Sequence, residues 1–159
     1  MKAVRNLGIV AVGAAILSLT ACDRNRVFEN SKEIGKEWRK DSLARFEVNI
    51  DDTLSTNSIY VSLRNASSYP FSNIYLFVTT VAPSGAYVRD TMECILADDT
   101  GKWLGKGFAK YWDGRFAMRK NVKFPEKGVY TFTIQQGMRL EDLPGIQNVG
   151  IRIERVNTK

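Results

Sequence analysis

The chain has 159 residues, of which 44% are hydrophobic and 25% are charged. That is the composition of one globular domain, and it excludes a collagen-like or largely disordered protein. The formal net charge is +6, and no histidine is present. The missing histidine excludes a Ser-His-Asp triad, a Cys-His dyad and the usual His-based zinc sites. We therefore predict no metal, no cofactor and no enzymatic activity.

The first 22 residues have the pattern of a bacterial lipoprotein signal. Lys2 and Arg5 precede an uncharged, mostly apolar stretch over 7–19, which is too short to cross about 30 Å of hydrocarbon and is typical of a secretory signal. The sequence Leu-Thr-Ala-Cys at 19–22 matches the lipobox, in which small residues precede the cysteine that becomes lipidated. We predict a signal peptide over 1–21 and acyl chains, palmitate among them, on Cys22. The alternatives are an ordinary signal peptide or a membrane anchor with a chance cysteine.

These features predict a protein that is lipid-anchored to a membrane of the bacterial cell envelope and faces the periplasm. The acyl chains on Cys22 would attach it to the membrane, and other envelope proteins are the expected partners. Loss of Lys2 and Arg5 lowers the net charge from +6 to +4, which is too mild a bias to indicate nucleic-acid binding. Cys94 then has no cysteine partner, and we predict that it is a small buried residue.

Residues 22–41 are polar and charged, with only scattered apolar side chains. We predict a lipidated N-terminus and a tether in this segment. Glu33 and Glu37 precede Trp38, a pattern compatible with a helix of one or two turns.

From residue 42 onward, apolar and polar residues alternate with the period of two that is typical of strands. About eight short segments show it: 46–50, 59–63, 74–81, 87–96, 104–112, 116–124, 130–134 and 149–153. The fifth is ambiguous because Gly105 and Gly107 interrupt it. The pattern predicts one all-β domain over 42–159, an antiparallel β-sandwich with jelly-roll or Greek-key connections. A β-barrel is the main competitor.

Two adjacent pairs of carboxylates occur in predicted turns, Asp51-Asp52 and Asp98-Asp99. Facing carboxylates can hydrolyse glycosides, and several oxygen ligands together can bind calcium. Aspartates in turns more commonly bond their own backbone, which is the role we predict here. A hydrolase that uses carboxylates alone is the weakest of three functional hypotheses.

Three tryptophans, Trp38, Trp103 and Trp112, are candidates for a sugar-stacking platform, and basic residues are frequent between 102 and 123. The competing interpretation is that these side chains pack the core or the rim of a small sandwich. Trp103 lies between glycines and is a candidate anchor for a partner. Trp103 and Trp112 are therefore the candidate contacts for a partner or a glycan.

Several stretches of the mature chain resemble a known family. They are YPFSNIYLF at 69–77, DT at 90–91, LAD at 96–98, GKWLGKG at 101–107 and LPGI at 143–146. Together with the lipobox, their order and spacing are similar to those of GldH-type gliding-motility lipoproteins.

The resemblance implies a cell-envelope lipoprotein associated with gliding, with no attached enzymatic activity. Only the lipidated cysteine carries over as a functional residue, onto Cys22. The function expected is a non-enzymatic component of an envelope assembly, in gliding or its associated secretion machinery. The alternative is a surface carbohydrate-binding module of jelly-roll type.

Overall fold

The computed structural model describes residues 23–156; the predicted signal peptide over 1–21 and the predicted lipidation site Cys22 lie outside this range. Within the described range there are eleven strands and no helix long and apolar enough to span a membrane. In chain order the strands are β1 (Arg26–Glu33), β2 (Glu37–Arg39), β3 (Ala44–Ile50), β4 (Asn57–Ala66), β5 (Asn73–Val81), β6 (Tyr87–Ile95), β7 (Lys106–Phe108), β8 (Tyr111–Val122), β9 (Gly128–Gln136), β10 (Asp142–Pro144) and β11 (Ile146–Arg155).

The eight long strands form two antiparallel sheets with jelly-roll connectivity. One sheet has the order β1-β11-β4-β8, extended by the short β7, and the other has the order β3-β9-β5-β6. Along the chain, the first long strand pairs with the last (β1 with β11), the second with the seventh (β3 with β9), and so on inward to β5 and β6. That nesting is a long hairpin rolled up into a double sheet, the jelly-roll arrangement. The prediction of an antiparallel β-sandwich is confirmed.

Alternating side chains from both sheets make the core. In β3 every second residue from Ala44 to Ile50 is buried and those between are exposed, as expected for a strand with one face on a core and one in water. The largest fully buried side chains include Phe132 from one sheet and Ile151 from the other. The segments with the clearest alternation in the sequence are thus the ones that form the centre of the sandwich.

The prediction of a tether over residues 22–41 is wrong for most of that segment. Residues 26–33 form β1, an edge strand paired with β11 along its length. Phe28 is the only apolar side chain of β1 that packs against the core, because an edge strand is held by backbone hydrogen bonds and tolerates charged side chains. The expected helix near Trp38 is instead β2, which pairs with β10 after a turn at Gly35 with a φ of +86°. The folded domain therefore includes β1 and β2 and begins well before residue 42.

The count of about eight strands is correct for the long strands and omits three strands of three residues each, β2, β7 and β10. Three residues are too few to show a period of two. The ambiguous segment 104–112 contains β7, a tight turn and the beginning of β8.

The two ends of the sandwich carry different loops. The N-terminal end carries Asp23 and the loops 51–56, 82–86 and 123–127, while the opposite end carries the loops 67–72 and 96–105 and the β7–β8 turn. The ten residues of β4 connect the two ends. At the rise of an extended strand, they separate the ends by about 30 Å.

Candidate functional site

The β7–β8 hairpin at the opposite end of the sandwich is built around a close backbone approach. Gly107 is paired with Trp112, and a Cβ atom on Gly107 would lie only 2.1 Å from the carbonyl oxygen of Tyr111. Gly105 is similarly close to the Asp113 backbone, at 2.7 Å. The two glycines that made this segment ambiguous in the sequence are therefore what lets β7 lie against β8.

Ser67 holds the hairpin turn to the rest of the domain. Its backbone N–H donates to the Lys110 carbonyl at 2.8 Å, and its hydroxyl donates to the Ala109 carbonyl at 2.6 Å. The same hydroxyl oxygen accepts the indole N–H of Trp112 at 3.1 Å. Ala109 has a φ of +56°, a backbone conformation that is costly for a residue with a Cβ and that these bonds maintain.

The two candidate contact residues, Trp103 and Trp112, lie close to this hairpin, and both are half-buried. Trp103 packs against the core and pairs with Ala97 in an isolated bridge. The indole N–H of Trp112 is already bonded to Ser67. Within residues 23–156 no stacking contact joins the two rings. Their role as a contact for a partner or a glycan stays a prediction.

Trp38 cannot belong to a sugar-stacking platform with Trp103 and Trp112. Its side chain is only 1% exposed and forms part of the core. Its indole N–H donates to the Ser42 carbonyl at 2.9 Å. For this tryptophan the packing interpretation is confirmed.

The most exposed apolar side chains at this end belong to residues that the sequence did not single out. Phe108, at the tip of the hairpin, is 89% exposed and Leu104 is 58% exposed. Ile95 and Leu104 line an open groove of about 720 Å³ that also contacts Lys106. We call the set Ile95, Leu104, Lys106, Phe108 and Lys110 the hairpin surface. The signal that could have found it is the GKWLGKGF run at 101–108, in which apolar residues alternate with lysines and glycines.

The paired carboxylates act on their own turns. Asp52 accepts the backbone N–H of Leu54 at 2.9 Å and the hydroxyl of Ser55 at 2.6 Å, and these bonds, the Ser55 hydroxyl above all, lower its pKa to about 2. Asp98 accepts the Thr100 hydroxyl at 2.7 Å and the Lys102 N–H at 3.0 Å. Among residues 23–156 no three acidic or cysteine side chains converge as metal ligands would. The turn role predicted for both pairs is confirmed for Asp52 and Asp98.

Cys94 is fully buried, as predicted. Burial raises the pKa of its thiol to about 12. A thiol with that pKa is almost wholly protonated near neutral pH and is therefore unreactive. Cys94 is a packing residue of β6.

A cluster of charges at the other end of the sandwich was not predicted from the sequence. Arg152 is on the outer face of β11, yet it is only 5% exposed. It donates hydrogen bonds to Glu29 and Glu154, each at 2.5 Å, and to Asp23. Burial alone lowers the pKa of Arg152, but the bonds to Glu154 and Asp23 outweigh it and raise that pKa. We call these four residues the N-terminal clamp.

The N-terminal clamp joins the beginning of the described chain to its last strand. Asp23 and Arg152 are 129 residues apart in the sequence. The Arg155 N–H also donates to the Asn25 carbonyl at 2.7 Å. The local sequence pattern does not predict this contact, because it does not distinguish a buried arginine at an outward strand position from a solvent-exposed one. The residues that follow position 22 are thus part of the folded domain.

Among solved structures, the chain is similar in part to those of infectious bursal disease virus. The crystal structure of the infectious bursal disease virus VP2 subviral particle is 12% identical, with a TM-score of 0.37 over 82% of this chain and 30% of that one. The structure of the Gx strain of the same virus is 13% identical, with a TM-score of 0.34 over 84% of this chain and 30% of that one.

A "Gliding motility lipoprotein GldH homolog" from Christiangramia forsetii is 35% identical over 147 residues, covering 88% of this chain and 90% of the relative. The "Gliding motility lipoprotein GldH" of Flavobacterium johnsoniae is 35% identical over 159 residues, covering 96% and 98%. The family model described as GldH lipoprotein matches residues 26–153, which span all eleven strands except the last two residues of β11. The chain belongs to the GldH lipoprotein family.

Proposed function

We propose that this protein is a non-enzymatic, lipid-anchored component of a cell-envelope assembly that serves gliding or its associated secretion machinery. Acyl chains on Cys22 attach it to the membrane on the periplasmic side. The hairpin surface contacts another envelope protein. The identity to relatives named as gliding-motility lipoproteins supports the biological setting.

The observation that carries the proposal is that Asp23 and the hairpin surface lie at opposite ends of one sandwich. Asp23, next in sequence to the lipobox cysteine, is held at one end by Arg152. Phe108 and Leu104 are displayed at the other end. Exposed apolar side chains that lie together on one surface, and not singly, are typical of a protein-binding surface. A protein anchored at one end would thus present this surface away from the membrane.

The anchoring is tested by the Cys22→Ala variant. We expect the variant to move from the membrane fraction to the soluble fraction of lysed cells, and to lose the mass of the acyl chains in intact-mass spectrometry. Cys94→Ala is the matched control, since it removes the other cysteine and should leave the protein in the membrane fraction. A Cys22→Ala protein that stays membrane-bound and active would contradict anchoring through this residue.

The partner surface is tested by crosslinking in native envelopes, followed by recovery of the protein and mass spectrometry. We expect the same envelope proteins to be recovered repeatedly with the native chain, and to be lost with the double variant Leu104→Ser and Phe108→Ser. Leu43→Ser is the control, because Leu43 is exposed to a similar degree, 55%, and lies outside the hairpin surface. Recovery that is unchanged in the double variant would remove the hairpin surface from the proposal.

A separate pair of variants tests the carbohydrate-binding alternative. If the chain is a carbohydrate-binding module, the native protein should bind at least one glycan of a broad panel. That binding should be lost when Trp103 and Trp112 are both changed to Ala. No binding by the native chain would eliminate that alternative.

A further inference from the structure

We propose that the N-terminal end of the sandwich rests directly on the membrane, with its loops in contact with anionic lipid headgroups. This inference rests on the proposed lipidation of Cys22. It adds which face of the domain meets the bilayer and what chemistry that face recognises. The occupant is a bilayer surface and not a second protein.

The connection between the lipid and the folded domain is short. Consecutive Cα atoms are about 3.8 Å apart, so a lipidated Cys22 has its Cα within that distance of the Asp23 Cα. Asp23 is bound to Arg152, and Asn25 to the Arg155 backbone. The acylated residue is therefore joined directly to a residue that the folded domain holds, without a linker between them. Because the acyl chains must be in the hydrocarbon, the end of the sandwich that carries Asp23 is brought up to the headgroups.

The N-terminal end also displays cations that have no acidic partner. Of its acidic side chains, Asp23 and Asp52 pair with Arg152 and Arg155. Asp51 and Glu126 bond only neutral groups, the Asn49 amide at 2.9 Å and the Ser84 hydroxyl at 2.8 Å. Arg24, Lys123 and Lys127 at the same end are exposed, and none forms an ion pair with another residue of 23–156. These three cations outnumber the two carboxylates that lack a cationic partner, and exposed cations close to an anionic leaflet are attracted by its surface potential.

Among the apolar side chains at this end, Leu54 and Tyr87 are the most exposed. Leu54 is 82% exposed and Tyr87 is 76% exposed. Leu54 is held outward because Asp52 bonds the N–H groups of both Leu54 and Ser55, at 2.9 Å and 3.1 Å. Single exposed apolar residues are common on soluble proteins. Beside a lipid anchor and among free cations, however, a leucine and a tyrosine suit the interface between headgroups and hydrocarbon.

The test uses the mature lipidated protein, purified from envelopes and reconstituted into vesicles that contain phosphatidylglycerol. Two single variants, Leu54→Cys and Phe108→Cys, are labelled with an environment-sensitive fluorophore. Only the new thiol reacts, because acylation blocks Cys22 and burial leaves Cys94 protonated. Both positions are highly exposed, so neither replacement should disturb the core, and thermal melting of each variant checks this.

With a quencher attached to the lipid headgroups, we expect the label at 54 to lose most of its fluorescence and the label at 108, about 30 Å away, to lose none. Adding Lys123→Glu and Lys127→Glu should reduce the loss at 54, whereas the matched pair Lys106→Glu and Lys110→Glu should not. Replacing phosphatidylglycerol with phosphatidylcholine should also weaken the quenching at 54.

Failure of this inference is distinguishable from failure of the proposed anchoring. The protein floats with the vesicles if the anchoring is correct. If it floats but the label at 54 stays unquenched, or if both labels are quenched equally, the proposed contact of the N-terminal end with the headgroups is wrong and the anchoring stands. If the protein does not float with the vesicles, both the proposed lipid anchor and the proposed contact with the headgroups are wrong. If the label at 54 is quenched in pure lipid vesicles but not in native envelopes that carry the same quencher, a protein covers this end, which also overturns the proposal.

Discussion

Arg152→Met should lower the free energy of unfolding by about 3 kcal/mol at neutral pH. The guanidinium is almost fully covered and bonds Asp23, Glu29 and Glu154. Its removal leaves three carboxylates close together, with only the more exposed Arg26 and Arg115 nearby to offset their charge. Equilibrium denaturation in urea measures the effect, and protection of the Asn25 and Arg26 amides from hydrogen exchange should fall as the N-terminal residues detach.

The control for this variant is Arg115→Met. Arg115 approaches Glu29 and Glu154 at 3.8 Å and 3.2 Å, but its side chain is 47% exposed. An exposed ion pair contributes at most about 1 kcal/mol, so this variant should be nearly as stable as the native chain. Equal losses from the two variants would contradict the importance of burying Arg152.

At acidic pH, the difference in the free energy of unfolding between the Arg152→Met variant and the native chain should become smaller. The hydrogen bond from Arg152 holds the pKa of Asp23 below its ordinary value of 3.8. A carboxylate with a lowered pKa in the folded state stabilises the fold above its unfolded pKa, and this stabilisation is lost as the pH falls through the folded pKa. The loss in the free energy of unfolding caused by the substitution should therefore be largest near pH 7 and should become smaller below about pH 4. A deficit that does not change with pH would indicate lost packing and not lost charge pairing.

Trp38→Ala is the second change with a large expected effect, a loss of about 3 to 5 kcal/mol in the free energy of unfolding. The side chain fills the space where the small β2–β10 sheet closes the sandwich, opposite the fully buried Leu143. The Gln136 amide also donates to the Trp38 carbonyl at 3.4 Å. The variant would leave a cavity the size of an indole ring. Urea denaturation measures the loss.

Two further variants separate the causes. Trp38→Phe keeps most of the apolar volume but leaves the Ser42 carbonyl without its donor, and should cost about 1 to 3 kcal/mol. Trp112→Ala removes a half-buried ring and should cost less than Trp38→Ala. If Trp112→Ala were the more damaging change, the assignment of Trp38 to the core and Trp112 to the rim would be wrong.

The sandwich class was predictable because local pattern carries it. Every second residue from Phe46 to Ile50 is apolar, and a strand with a period of two must bury one face against another layer. The turn residues Asp52 and Asp98 were recognisable for the same reason, since the bonds that form their turns reach only two to four residues along the chain. The family, too, was recognisable from the linear order of short motifs.

Strand pairing and surface assignment were not predictable in this way. β1 has almost no apolar pattern, because its partner β11 is joined to it by backbone hydrogen bonds that any sequence can make. Trp38 and Trp112 are the same residue type, and the local sequence does not show which of them is buried. The packing of strands that are distant in sequence buries Trp38 and leaves Trp112 half-buried.

The sandwich class, the lipobox and the membership of a lipoprotein family can all be read from the amino-acid sequence, because each depends on residues that are neighbours along the chain. The jelly-roll order, the N-terminal clamp and the separation of Asp23 from Phe108 by the length of the domain emerge only in three dimensions. Those features arise when residues as far apart as Asp23 and Arg152 are brought together by the pairing of the first strand with the last. No local pattern encodes that contact, since its energy is gained only once the two sheets have assembled.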